Sequence, residues 1–164
     1  LPGPTASSAS YARFLPPIRA KCRRLLGSVP AADDVAQESL LRLWKSGVAD
    51  GGDPRTVMAW LYRTCTRLAV DVLRERRRAP GAEVDLEATP CGIDPRTCVE
   101  ARAAIATLAG TVPPDELSVV VLCRVDGLPQ PEAAQVLGMS ERTVRRVLER
   151  FDQRTETLRK EFSS

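Results

Sequence analysis

The sequence predicts an all-α chain: two small helical domains joined by an acidic flexible linker, the second containing a helix-turn-helix. Three observations predict it. Apolar residues recur at the helical spacing i, i+3, i+4, i+7 along most of the chain. Helix-start chemistry recurs with them, at Asp53-Pro54, at Pro113-Pro114-Asp115-Glu116 and at Ser140. Between the periodic stretches, residues 80–97 hold three prolines, two glycines and four acids, with no periodicity that would build a core. The expected domains are therefore 8–79 and 98–162, with 80–97 as the linker.

Composition bounds the partners. The chain has 164 residues, 43% hydrophobic and 4% aromatic. No apolar run approaches the roughly 18 residues of a membrane span, and no secretory signal is visible. Membrane insertion is not expected. Net charge is only +3, unevenly distributed. Residues 1–79 carry 14 basic and 7 acidic side chains, a net +7; residues 80–97 carry 1 and 4, a net −3; residues 98–164 carry 9 and 10, a net −1. On charge alone, the front half is the stronger polyanion binder.

Five cysteines are scattered with no C-x-x-C spacing, and histidine is absent. A disulfide framework is not expected, and the usual mixed Cys/His zinc site cannot form. Cys22, Cys65 and Cys123 read as small hydrophobes. Cys91 and Cys98, in or beside the linker, read as free thiols, with a redox or metal pair as the less favoured alternative. A reducing cytoplasm fits this usage. No cofactor and no catalytic constellation are expected.

Residues 1–10 are rich in Pro, Gly, Ser and Ala and read as disordered. A broken helical segment follows from Ser8 to about Leu26. Pro16 and Pro17 cannot sit in a helix interior, so one of them opens a new helix. Ile18, Cys22, Leu25 and Leu26 form its buried stripe. In the next helix, Ala36, Leu40, Leu43 and Trp44 fall toward a core, while Asp34, Gln37, Glu38, Arg42 and Lys45 face out. Leu41 lies amid that polar face. It is either a lone exposed leucine, which is common, or the apolar centre of a partner-binding patch.

Residues 47–53 read as a flexible loop, and Asp53-Pro54 starts a helix running to about Arg78. Val57, Leu61, Cys65, Leu68 and Val72 form its expected apolar face. Arg63, Arg67, Arg74, Arg77 and Arg78 lie within about 100° of one another on the opposite face, with Trp60 at the border. Guanidinium groups for phosphates beside a ring for base stacking suit a nucleic-acid strand. A solvated face with a core tryptophan is the plainer alternative.

Beyond the linker, an Ala-rich helix from Cys98 to Gly110 buries Ile105 and Leu108. The run LSVVVLCRV is β-branched, but its flanks carry helix-start chemistry, so it reads as a buried helix ending at Asp126-Gly127. From Leu128 to Phe151 come a short helix, a Gly-containing turn and a longer helix capped by Ser140, continuing to about Phe162. Val144, Val147, Leu148 and Phe151 share one face of that last helix. Arg142, Arg145, Arg146 and Arg150 share the other, which suits a major groove.

These stretches together resemble a bacterial RNA polymerase sigma factor of the extracytoplasmic-function group, in the sigma-70 family, over about residues 8–160. The residues that carry the resemblance are Asp34-x-x-Gln37-Glu38 with Leu43-Trp44, and Trp60-Leu61-Tyr62-Arg63 with Asp71 and Arg74 leading into Arg76-Arg77-Arg78. In the second half they are Asp126-Gly127-Leu128 with Glu132-x-Ala134, and Leu137-Gly138-Met139-Ser140-x-x-Thr143-Val144. The sequence departs from the family pattern at Arg67, usually Asn. It departs again at Arg142 to Val147, where the family commonly reads Gly-Thr-Val-Lys-Ser-Arg.

The resemblance implies an alternative sigma factor with no chemistry of its own, which directs core RNA polymerase to promoters and assists their melting. Asp34, Gln37, Glu38, Leu41 and Arg42 would dock on core RNA polymerase. The loop before Pro54 and the long helix, through Arg55, Trp60, Arg63, Arg67, Arg74, Arg77 and Arg78, would bind the minus-ten element of promoter DNA as a melted strand. Ser140, Arg142, Thr143, Arg145, Arg146 and Arg150 would read the minus-thirty-five element as duplex. An anti-sigma factor is a further expected partner. The alternative is a sigma mimic that occupies an anti-sigma factor and never reads promoters.

Overall fold

The computed structural model describes residues 8–27, 29–79 and 95–164, and all regular structure among them is helical. The expectations for residues 1–7, for most of the linker, for Cys91 and for the side chain of Cys98 lie outside the described residues. Helix α1 (Ser8–Ala12) turns into α2 (Leu15–Leu26), which carries proline in its first turn, where the missing N–H costs nothing. Gly27 ends α2 at φ 68°, a conformation only glycine adopts without strain. Helix α3 (Val29–Ser46) and α4 (Pro54–Arg78) complete the first helical unit. Helix α5 (Pro95–Leu108) starts three residues earlier than expected, inside the segment assigned to the linker.

Helix α6 (Pro114–Val120) runs into a wide π-helical turn at Val121–Val125, in which the Asp126 amide donates to the Val121 carbonyl at 3.0 Å. The β-branched run is thus helical, as its flanks imply. Val119, Val120, Val121 and Leu122 are all fully buried, so packing overrides strand propensity. Helix α7 (Gln130–Leu137) and α8 (Glu141–Phe162) form the helix-turn-helix. Pro131 lies in the first turn of α7 and disturbs nothing. Gly138 closes α7 in the left-handed region, φ 66° and ψ 33°. Ser140 caps α8, accepting from the Thr143 amide at 3.2 Å.

Two buried faces differ from expectation. On α3 the core side is Ala32, Val35, Ala36, Ser39 and Leu43, with Leu40 only half-buried and Trp44 46% exposed. Trp44 lies about 100° past Leu43 on the wheel, far enough to carry a large ring out of the core. On α4, Val57, Leu61 and Cys65 are buried as expected, but Leu68 and Val72 are only partly so. Thr66, Ala69, Val70 and Leu73 are buried instead. Thr66 and Leu73 lie within about 20° of the point opposite Val57, so α4 is covered on two sides.

The second cover is the other half of the chain. Helices α2 and α3 pack on one side of α4, and α5, α6 and α7 pack along another. The buried apolar residues of both halves form one continuous cluster, from Tyr11 to Phe151. The two helical units are apposed, with α4 between them.

Candidate nucleic-acid and polymerase interfaces

Helix α3 presents an apolar pair to solvent. Leu41 is 43% exposed and Trp44 46% exposed, one turn apart. Asp34, Gln37, Arg42 and Lys45 are exposed around them. Glu38 and Arg42 pair at 2.8 Å, one turn apart along the rim. Charged side chains around two large apolar ones match the anatomy of a protein-docking patch. The sequence missed Trp44 because a wheel drawn from hydrophobicity assigns any large apolar residue near the seam to the core.

The loop ahead of α4 is built rather than slack. Ser46 Oγ donates to the Leu43 carbonyl and accepts from the Val48 amide, while the Asp50 amide donates to Gly47. A Cβ on Gly52 would meet the Val48 carbonyl oxygen at 2.4 Å, so this close backbone approach requires glycine. The loop delivers Asp53, whose carboxylate caps α4 at the Arg55 amide, 3.4 Å away.

Along α4 the basic residues have unequal roles. Arg55, Arg67, Arg77 and Arg78 are exposed; Trp60, Arg63 and Arg74 are half-buried. From Arg55 to Arg78 the row is about 35 Å long at 1.5 Å per residue. Arg76 is structural: its guanidinium donates to the Leu26 carbonyl at 3.0 Å, satisfying the open end of α2. Two of the row face the second unit. Arg67 pairs with Asp115 of α6 at 3.7 Å. The stem of Arg77 lies beside Gly110, 3.7 Å from where a Cβ there would sit. At the N-terminal end of α4, Arg55, Met58 and Tyr62 line an open groove of about 840 Å³, whose other wall is Leu128, Glu132, Gln135 and Val136.

On α8 the apolar face is as expected, with Val144, Val147, Leu148 and Phe151 buried. Arg142, Arg145 and Arg146 are exposed and have no carboxylate partner among the described residues. Arg150 differs: its guanidinium lies 2.8 Å from Glu116 of α6, and Arg154 reaches the same carboxylate at 3.8 Å. Arg150 therefore braces α8 against α6 while remaining on the exposed side of the helix. Ser140 and Thr143 hydrogen-bond each other at 2.9 Å at the start of α8.

Residues 10–79 match the family described as Sigma-70 region 2, and residues 102–150 match Sigma-70, region 4. A sigma factor of Mycobacterium tuberculosis strain Erdman, ECF RNA polymerase sigma factor SigL, is 30% identical over 125 residues, covering 74% of this chain and 71% of that protein. The chain belongs to the ECF group of the sigma-70 family. ECF RNA polymerase sigma factor SigE of Mycolicibacterium smegmatis is 31% identical over 137 residues, 74% of this chain and 49% of its own length. The probable RNA polymerase sigma factor RfaY of Xanthomonas campestris is 30% identical over 130 residues, 74% of this chain and 32% of its own. The chain thus spans a third to a half of those two relatives. No helix among the described residues is long and apolar enough to cross a membrane.

One cluster of this ECF chain went unread in the sequence. Asp126, on the turn after α6, accepts from Lys21 and, at 3.0 Å, from Arg24, both on α2. The Lys21 and Asp126 side chains are only 3% and 1% exposed. The Lys21 ammonium also lies 5.0 Å from the Tyr62 ring centroid. Burial pulls this ammonium's pKa down, but the Asp126 carboxylate, with Cys65 and Tyr62, more than offsets it, and the group titrates above the ordinary lysine range. Nothing in the spacing of Lys21 and Asp126 signals their meeting, because they are 105 residues apart.

Proposed function

We propose that the chain is an alternative sigma factor that brings core RNA polymerase to specific promoters and assists their melting. Helix α3 docks on the polymerase through Asp34, Gln37, Glu38, Leu41 and Arg42, with Trp44 added to that set. The loop 47–53 and α4 capture the melted minus-ten strand, through Arg55, Trp60, Arg63, Arg67, Arg74, Arg77 and Arg78. Opening duplex DNA costs a few kcal/mol per unstacked base, so a strand-binding surface biases the open state. Helix α8 reads the minus-thirty-five duplex through Arg142, Arg145 and Arg146, with Ser140 and Thr143 at its N-terminus. The chain contributes no catalysis and works in the cytoplasm, where an anti-sigma factor is its expected regulator. The domains that divide this work are 8–79 and 98–162, with 80–97 between them.

The observation that carries this reading is the pairing of two unsatisfied surfaces in one chain. An apolar pair in a charged frame stands out on α3. Three arginines without carboxylate partners among the described residues stand out on α8. A mimic that only occupies an anti-sigma factor has no use for the second. In vitro transcription with purified core polymerase on a genomic promoter library tests the proposal. Specific initiation supports it, and initiation no better than core polymerase alone rejects it.

A further inference from the structure

Two cysteines that read as separate small hydrophobes in the sequence meet in the fold. Cys22 stands on α2 and Cys65 on α4, with the whole of α3 between them in the chain. Their thiols are in hydrogen-bonding contact, and both side chains are buried. The Cys65 thiol also donates to the Tyr62 carbonyl oxygen, 3.5 Å away. Neither sulfur belongs to the docking or DNA surfaces described above.

Their surroundings make the two sulfurs unequal. Contact with the Cys65 thiol lowers the pKa of Cys22; burial opposes this, and the Lys21 and Arg24 cations add to the lowering against the Asp126 carboxylate. Burial pushes Cys65 well up, and contact with the Cys22 sulfur adds to it, with Lys21 opposing. Cys22 is therefore the first of the pair to ionise, and the thiolate is the nucleophilic form. A buried thiol among apolar neighbours is inert, whereas one beside cations and a second thiol is of the reactive kind. The pair is close to solvent on one side, because Arg24, whose charge acts on Cys22, has a side chain 19% exposed. A neutral oxidant little larger than water suits that approach.

We propose that Cys22 and Cys65 form a peroxide-responsive thiol pair, oxidised to a reversible disulfide that ties α2 to α4. The Cys22 thiolate attacks one oxygen of hydrogen peroxide and the O–O bond breaks. The hydroxide released takes up a proton and leaves as water, with Cys22 now a sulfenic acid. Cys65 is the resolving thiol: its sulfur attacks that of Cys22, the S–S bond forms and the S–O bond breaks. The second hydroxide takes the Cys65 proton and leaves as water. In sum, two thiols give up two electrons and peroxide accepts them. A dithiol reductant returns both thiols by exchange through a mixed disulfide. The crosslink closes a loop of chain that contains all of α3, so it restricts the unfolded first unit and stabilises the folded one. This chemistry does not depend on the sigma-factor reading, although it acts on the unit that carries the docking helix.

The test treats the full, folded chain with hydrogen peroxide, blocks the remaining thiols and maps the peptides by mass spectrometry without reduction. The expected product is one peptide pair joined through Cys22 and Cys65, lighter by two hydrogen atoms and separated again by dithiothreitol. The oxidised chain should melt at a temperature higher by up to about 10 °C than the reduced one. Peroxide that leaves both residues as thiols, joins either to another cysteine, or drives either to an irreversible sulfinic acid overturns the proposal. So does a crosslinked chain that melts no higher than the reduced one. Two variants divide the roles. In Cys65→Ala, Cys22 should gain a single oxygen that dimedone traps; in Cys22→Ala, Cys65 should stay a thiol. The opposite pattern overturns the assignment of attacking and resolving sulfur. The wild-type map decides the disulfide itself, so a variant that does not fold leaves the proposal open to refutation.

Discussion

The ammonium of Lys21 on α2 and the carboxylate of Asp126, 105 residues later, form an ion pair almost wholly removed from solvent. It joins the two halves of a chain that its own sequence presents as separate modules. A charge taken this far out of water is tolerated only with partners, and here Arg24 and the face of Tyr62 complete the set.

Removing the carboxylate should be the most damaging single change at this point. Asp126→Ala leaves the Lys21 ammonium buried without its counter-ion, and loss of one partner of such a pair costs about 3–5 kcal/mol. Lys21→Met should cost less, because Arg24 still holds Asp126 and the apolar stem is retained. Urea denaturation of the two variants gives the comparison, and equal losses would contradict this account of the cluster.

The alkaline limb of stability carries the same signature. The folded-state pKa of Lys21 is raised above its ordinary 10.5. Its contribution is therefore fully present below that value and is lost only as pH rises through the still higher folded one. The groups facing it are Asp126, Cys65 and Tyr62. Wild type should thus lose stability relative to Lys21→Met above about pH 10.5, and no faster than Lys21→Met at neutral pH. Thermal melts across that range check the direction.

On α3, Leu41→Glu and Trp44→Ala should leave the fold within about 0.5 kcal/mol of wild type, since both side chains are about half exposed. Both should weaken binding to core polymerase in a pull-down, with Gln37→Ala giving a smaller loss. Unchanged capture by all three would remove α3 as the docking surface.

On α8 the arginines should separate into two classes. Arg145→Ala or Arg146→Ala should cost about 1–3 kcal/mol in binding a minus-thirty-five duplex where the side chain holds a base bidentately. Arg150→Ala should cost less in DNA binding, because its guanidinium is committed to Glu116 at 2.8 Å. Glu116→Gln frees that guanidinium and should narrow the difference. Titrations of labelled duplex against the four variants measure it.

Much of this was legible in one dimension. Ser140, Asp53 and the prolines at helix starts mark boundaries through local hydrogen bonding and fixed φ, which need no tertiary context. The stripe Val144, Val147, Leu148 and Phe151 was readable because α8 buries one face only. Helix α4 misled the same method. It is covered on two sides, and a wheel can propose only the face its own apolar residues favour, so the expected face of Val57, Leu61, Cys65, Leu68 and Val72 leaves out Thr66 and Val70, which are buried on the other side.

The sequence by itself determined the helices, their order, the helix-turn-helix and the basic character of α4, because each follows from periodicity, capping and charge within a few turns of chain. Only the tertiary structure decided that the two units close on α4, that Trp44 stands in solvent, that Arg76 and Arg150 are braces, and that Lys21 and Arg24 meet Asp126. Those are long-range pairings. Their free energy comes from removing charges and apolar surface from water together, and no local pattern encodes which distant partner will share that burial.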